Sequence, residues 1–253
     1  MIKRTLVLNV KNNSIGKQMK FYRSLRPFKA ISFDLDDTLY DNHPVIKKAE
    51  ADFLTYLTSS YQELEQLDAR KWGLYKALLI KENPALQHDV SLWRKEITKR
   101  VMVVYGISMV NAIKYSEVAL QHFLHLRSDF TVPQQSIQLL EELALHYPII
   151  AITNGNVDVK QIGLDDKFQF VIKAGNGLNS KPHLDMFEQA ALQLNIQVAD
   201  LLHVGDHLIS DVYGAQNNYA QAVWFNPKGE QLKGAKLLPS IEMADLQNLL
   251  KLI

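Results

Sequence analysis

The stretch Ala30-Ile31-Ser32-Phe33-Asp34-Leu35-Asp36-Asp37-Thr38-Leu39-Tyr40-Asp41 decides the fold, because an apolar run of the kind that makes a buried strand ends in four aspartates. Two like charges about 4 Å apart cost roughly 4 kcal/mol at an effective dielectric near 20, so the cluster either keeps a proton or binds a cation. Open α/β sheets place their ligands just outside the carboxyl ends of the strands, where these carboxylates would lie. The stretch therefore reads as a metal-assisted active site. A plainer alternative is a turn that caps the next helix, a part Asp and Thr often play.

Three further segments carry complementary chemistry. Pro148-Ile149-Ile150-Ala151-Ile152-Thr153-Asn154-Gly155-Asn156 is an apolar run ending in a hydroxyl, an amide and a glycine, a combination that makes a nest for anionic oxygens. Ser180-Lys181-Pro182 offers a lysine whose backbone is restricted by the next proline, with helical periodicity downstream at Phe187, Ala190, Ala191 and Leu194. Leu201-Leu202-His203-Val204-Gly205-Asp206 reads as a strand with a carboxylate at its end, and Asp211 follows near the start of a helix. Each has a plain structural alternative: a strand exit, a surface lysine, an acidic first-turn residue.

In their order and spacing these segments resemble the haloacid dehalogenase-like phosphohydrolases. Asp34-x-Asp36-x-Thr38 is similar to that family's first motif, Thr153-Asn154-Gly155 to its second, Lys181-Pro182 to its third, and Gly205-Asp206 through Asp211 to its fourth. The resemblance runs from about Met19 to the C-terminus. In Phe21-Tyr22-Arg23, Asp34 to Asn42, Ala151 to Asn156 and Leu202 to Asp206 it is closer to the branch acting on flavin mononucleotide and 5-amino-6-(5-phospho-D-ribitylamino)uracil in riboflavin synthesis.

What the resemblance implies is specific. Asp34 is expected to be the nucleophile that forms an aspartyl-phosphate, and Asp36 the acid and then the base, its proton retained through repulsion from Asp34. Thr153, the backbone N–H of Asn154 and Lys181 are expected to hold the phosphoryl oxygens. Asp34, Asp206 and the Asp36 carbonyl are expected to ligate magnesium, with Asp211 and Thr38 behind them and Asp211 orienting water rather than touching the ion. His207 departs from the pattern, standing where Asp, Asn or Ser is usual; the expectation is weaker magnesium binding at mildly acidic pH. A dehalogenase would have no use for Asp36, and a phosphomutase, a broad sugar or nucleotide phosphatase and a non-catalytic phosphate sensor remain rivals.

Composition bounds the rest. With 253 residues and 47% apolar residues the chain has length enough for one large or two modest domains, and its formal charge of +1 gives no reason to propose nucleic acid or an anionic membrane as partner. No cysteine is present, which excludes disulfides and thiol catalysis. No apolar run approaches the roughly 18 residues of a membrane span. The expectation is a cytoplasmic enzyme, monomer or weak homodimer, with a small phosphorylated metabolite as partner.

More than a hundred residues separate the first two motifs, far beyond one strand-helix unit, so a second domain is inserted there. Val45, Ala49, Phe53 and Leu57 recur at helical spacing, as do Trp93, Ile97, Val101, Val104 and Tyr105, and again Tyr115, Ala119, Phe123 and Leu126. Leu64 to Ile80 reads as a fourth helix interrupted by Gly73. Trp72, Tyr75, Trp93 and Tyr105 fit either bundle core or stacking on a substrate ring. After Pro133 strands and helices alternate, closing with a strand at Ala222 to Phe225 and a C-terminal helix. The expected fold is α/β: a Rossmann-like parallel-sheet core over residues 19–41 and 131–253, an inserted four-helix cap over 42–130, and a flexible N-terminal extension over 1–18.

Overall fold

The computed structural model describes residues 19–253, so the extension expected over 1–18 lies outside the described residues. The strands are β1 (Met19–Phe21), β2 (Ala30–Phe33), β3 (Ile149–Thr153), β4 (Val171–Lys173), β5 (Leu201–Gly205), β6 (Gln221–Phe225) and β7 (Ile241–Met243). Among the described residues they make one sheet in the order β1-β7-β6-β5-β2-β3-β4, parallel except where β1 meets β7. β2, β3 and β5 are buried along their whole length, as parallel strands covered on both faces must be.

Their side chains feed two cores. Ile31, Phe33, Ala151 and Val204 pack on one face with Leu139, Leu140 and Leu143; Ala30, Ile150, Ile152 and Leu201 pack on the other with Met186, Phe187 and Ala190. The covering helices are α5 (Gln134–Ala144) and α6 (Asp185–Leu194). Register then positions the site: Phe33 stands opposite both Ala151 and Val204, so the residues after all three strands emerge at one edge.

Between β2 and β3 lie α1 (Asn42–Ser60), α2 (Ala69–Glu82), α3 (Val90–Val104) and α4 (Met109–Arg127). Each begins where a side chain takes up an orphan N–H: Asp41 accepts from His43, Asp68 from Lys71, Asp89 from Leu92 and Ser108 from Asn111. Their apolar faces make a third core around Ala49, Phe53, Leu57, Ile97, Val101, Ala119 and Phe123. Phe53 meets Phe123 edge-on at 5.4 Å and Trp72 at 5.8 Å.

Several expectations need correction. The helix read from Leu64 starts only at Ala69, where Asp68 caps it, after a short helical turn over Gln62–Leu64. Gly73 does not interrupt it, since one glycine costs only about 1 kcal/mol and the packing of Trp72 outweighs that. Val104, expected on the buried face, is 56% exposed at the last position of α3. The C-terminal helix is a tight helical segment over Leu246–Lys251. β1 and β7 were not foreseen, because three residues are too few to display a period.

A Cβ added at Gly73 meets nothing within 4 Å. Gly73→Ala is therefore expected to stabilise the protein by about 1 kcal/mol in urea unfolding; a destabilised variant would mean that α2 needs the glycine for a reason outside helix propensity.

Candidate active site

At the strand edge the Lys181 ammonium meets three oxygens: Asp34 Oδ1 at 2.8 Å, Asp211 Oδ1 at 2.7 Å and the Ile152 carbonyl at 2.6 Å. Three donors meet three acceptors, leaving none idle. Lys181 is buried, yet the negative charges of Asp211 and Asp34 outweigh the burial and raise its pKa. Its main chain is clamped by one side chain, for Asn154 Oδ1 accepts from the Lys181 N–H at 2.8 Å and Asn154 Nδ2 donates to the Lys181 carbonyl at 3.0 Å. The Asn154 amide thus orients the lysine, a part that the sequence reading did not assign it.

Asp211 is buried to 1% exposure, and partners surround it. Beyond Lys181, it lies 3.3 Å from His203 Nε2, and its Oδ2 accepts from the His207 N–H at 2.9 Å. Burial pushes the Asp211 carboxyl up, but Lys181 and His203 outweigh it and hold the carboxyl below its ordinary range. His203 is held down to about 4, by burial first and then by Lys181, so it is neutral at pH 7. Nε2–H then faces Asp211, and Nδ1 accepts from the Ser32 hydroxyl at 2.9 Å. Ser32 and His203 escaped the sequence reading because both sit inside apolar strands.

Asp34 and Asp206 are different. Burial, with Asp211 and Asp36 nearby, pushes the Asp34 carboxyl up to about 8 against the pull of Lys181. Burial and the charges of Asp211 and Asp37 push Asp206 up to about 7. Thr38 Oγ1 donates to Asp206 Oδ1 at 3.3 Å, which is where the structure puts Thr38. Oxygens of Asp34, Asp206 and Asp211 all lie within 4.8 Å of one another. An all-oxygen set in which two carboxyls are driven towards protonation suits a small hard divalent cation, whose charge would reverse that drive. Since Asp211 is already committed to Lys181, His203 and His207, Asp34 and Asp206 are the better placed to hold it.

The Asp36 carboxylate is absent from that trio. Its Oδ1 accepts from Arg127 Nη2 at 2.5 Å and from the Tyr40 hydroxyl at 2.7 Å. A buried guanidinium and a phenol hydroxyl, neither of them foreseen from the sequence, thus hold this carboxylate. Arg127 was missed because it lies about ninety positions away on a helix, with no motif around it. Thr153 is buried, and its Oγ1 accepts from the Gly155 N–H at 3.0 Å. His207 is exposed, and its Nδ1 accepts from the N–H groups of Ile209 and Ser210, at 3.3 and 3.1 Å. It caps the helical turn over Leu208–Tyr213 as Asp, Asn or Ser would.

Besides Arg127, the insert reaches the site through His88, Asp89 and Ser91. Asn156 Nδ2 donates to Ser91 Oγ at 3.1 Å, the Asn176 N–H to Asp89 Oδ2 at 3.3 Å, and His88 Nδ1 lies 2.9 Å from Ser180 Oγ. Between these contacts a cavity of about 550 Å³ is lined by His88, Asp89, Ser91, Gly155, Asn156 and Asn179 among others. Trp72 and Trp93 line a separate groove between α1 and α2, and Trp72 is bundle core.

A parallel sheet with aspartates, a threonine and a buried lysine gathered at its carboxyl edge defines a hydrolase of the haloacid dehalogenase type. The family model described as haloacid dehalogenase-like hydrolase matches residues 28–218, and the chain belongs to that family. It is 38% identical over 238 residues to 5-amino-6-(5-phospho-D-ribitylamino)uracil phosphatase YigB of Escherichia coli (strain K12), covering 93% of this chain and 100% of that protein. It is 30% identical over 244 residues to glyceraldehyde 3-phosphate phosphatase of Pyrococcus abyssi, covering 89% and 93%. The crystal structure of a 2-haloacid dehalogenase from Pseudomonas syringae pv. Tomato DC3000 matches with a TM-score of 0.83 at 31% identity, covering 88% of this chain and 97% of that one. Within the family the chain is a phosphatase, a phosphoric monoester hydrolase. Among the described residues no helix is long and apolar enough to cross a membrane.

A Cβ at Gly205 would lie 2.4 Å from Asp211 Cγ. Gly205→Ala is expected to cost about 1–3 kcal/mol by overpacking and to dislodge Asp211 from Lys181; an unchanged melting temperature would show that Asp211 moves aside freely.

Proposed function

We propose that this chain is a magnesium-dependent phosphatase that hydrolyses small phosphate monoesters through an aspartyl-phosphate, with flavin mononucleotide, 5-amino-6-(5-phospho-D-ribitylamino)uracil or both as its substrates. The observation that carries the chemistry is the Lys181 ammonium bridging Asp34 and Asp211 at the strand edge. What supports the substrate is the 38% identity, over nearly the whole chain, to a phosphatase named for that uracil compound.

In this reading Lys181 occupies Oδ1 of Asp34, so the attack on phosphorus comes from Oδ2. Thr153 Oγ1 and the Asn154 N–H bind the phosphoryl oxygens, and Lys181 offsets the charge that collects between Asp34 and the phosphate. Asp36 gives its proton to the departing alcohol and later takes one from the attacking water. Asp34 and Asp206, with the Asp36 carbonyl, would hold magnesium, while Asp211 and Thr38 keep Lys181 and Asp206 in place. Bound magnesium would supply positive charge to the phosphate and favour the ionised forms of Asp34 and Asp206.

Residues 42–130 serve as a cap, closing over the leaving group and excluding water. The cavity lined by His88, Ser91, Gly155 and Asn156 is the space offered to that group. The dehalogenase named among the structural neighbours is the natural rival. Asp36, held by Arg127 and Tyr40, favours phosphoryl transfer, since displacing a halide needs no acid.

The test is phosphate release from the two flavin-pathway compounds, glyceraldehyde 3-phosphate and a panel of sugar phosphates and nucleotides, with magnesium and with chelator. Release favouring the first two, lost on chelation and in Asp34→Asn, is expected; Asp36→Asn should block formation or breakdown of the aspartyl-phosphate. Preference for another monoester would overturn the substrate. Isomerisation without release would make the chain a mutase, and halide release from 2-haloacids with no phosphate release would overturn the mechanism.

A further inference from the structure

Arg127 ends α4, lies outside every motif, and has a side chain only 2% exposed. Its Nη2 donates to Asp36 Oδ1, the same oxygen that receives the Tyr40 hydroxyl. The other oxygen, Asp36 Oδ2, lies against Gly155, where an added Cβ would stand 2.4 Å from it. The carboxyl group is thus held from three sides: by the insert, by its own loop and by the loop after β3. Arg127 Nη1 is buried and has no hydrogen-bond partner among the described residues. Packing alone does not account for such a group, because an apolar side chain would fill the space without the cost of a buried charge and an unmet donor. Neighbouring bonds fix where the guanidinium starts from. Ser128 Oγ accepts from the Asp158 N–H at 2.9 Å, and the His125 carbonyl accepts from Gln161 Nε2 at 3.0 Å, tying the end of α4 to the loop after β3.

We propose that Arg127, assisted by Tyr40, is a positioning residue that holds the Asp36 carboxyl in one place between insert and core, with its mobile proton on Oδ2. The inference rests on the reading of Asp36 as acid and base. Because both donors occupy Oδ1, Oδ2 is the oxygen left to transfer the proton in the acid-base reading. In the step concerned, an Asp34 oxygen bonds to phosphorus, the bond from phosphorus to the ester oxygen breaks, and the Oδ2 proton moves to that ester oxygen. An aspartyl-phosphate, a free alcohol and an Asp36 carboxylate remain, and Arg127 is placed to stabilise that carboxylate. Since Arg127 belongs to the insert, the placement of the acid depends on the placement of the insert.

The experiment compares kcat/KM, which reports steps up to aspartyl-phosphate formation, for an alkyl phosphate (flavin mononucleotide) and for p-nitrophenyl phosphate, whose leaving group departs without a proton. Arg127→Gln is expected to lose about 10²-fold on the alkyl ester and far less on the nitrophenyl ester. Arg127→Lys should recover part of the loss. Tyr40→Phe, which keeps the ion pair, should shift the ratio of the two kcat/KM values in the same direction, and it decides the matter should Arg127→Gln fail to fold. Equal losses on both esters, or no loss on either, would overturn the inference while leaving the phosphatase reading intact. A wild-type protein releasing phosphate from neither ester would overturn both.

Discussion

Everything at the active edge depends on a buried ammonium. Lys181 arrives from a loop after β4 and ties Asp34, Asp211 and the Ile152 carbonyl together. The cation holds the Asp211 carboxyl low, while at Asp34, less than 5 Å away, it only opposes the burial that pushes that carboxyl up. The ion pairs are costly to desolvate and are not there for stability. They are compensated by complete satisfaction: Asn154 grips the lysine's main chain, His203 backs Asp211, and Ser32 backs His203. The relay runs from the middle of the sheet to Asp34 and leaves its members little freedom.

Charge in the site is divided between two supports. The core supplies Lys181 to Asp34 and Asp211, and the insert supplies Arg127 to Asp36. Aspartates two residues apart in sequence are therefore held by different layers of the molecule. Asp34 follows the sheet, whose register is set by parallel pairing; Asp36 follows the end of α4. Among the described residues Asp206 has no such cation, and burial with the charges of Asp211 and Asp37 drives it up towards protonation.

Close approach explains the two glycines that flank the site. Gly155 lets Asp36 Oδ2 pass, and Gly205 lets the Asp211 side chain lie across β5; a single methyl group at either would occupy the space of a carboxylate. His207 illustrates the opposite, a residue that departs from the family pattern yet meets the local requirement, since an imidazole nitrogen can accept the same N–H groups as a carboxylate.

The sequence by itself determined the parallel sheet, the edge at which the chemistry gathers and the identity of its acidic and basic groups. Apolar runs that end in Asp34, Thr153 and Asp206 are local signals, and a strand that ends in a charge announces both its face and its direction. The four-helix character of the insert was legible for the same reason, in the period of Ala49, Phe53 and Leu57. Only the tertiary structure decided which groups meet. Arg127 and Asp36 stand 91 residues apart, Ser32 and His203 171, and nothing in either neighbourhood marks the pairing. The three-residue strands β1 and β7 escaped notice because they owe their form to pairing with each other and with β6. Periodicity records which side of an element is buried, whereas the contact between a buried cation and its carboxylate exists only once two distant segments are brought to the same edge.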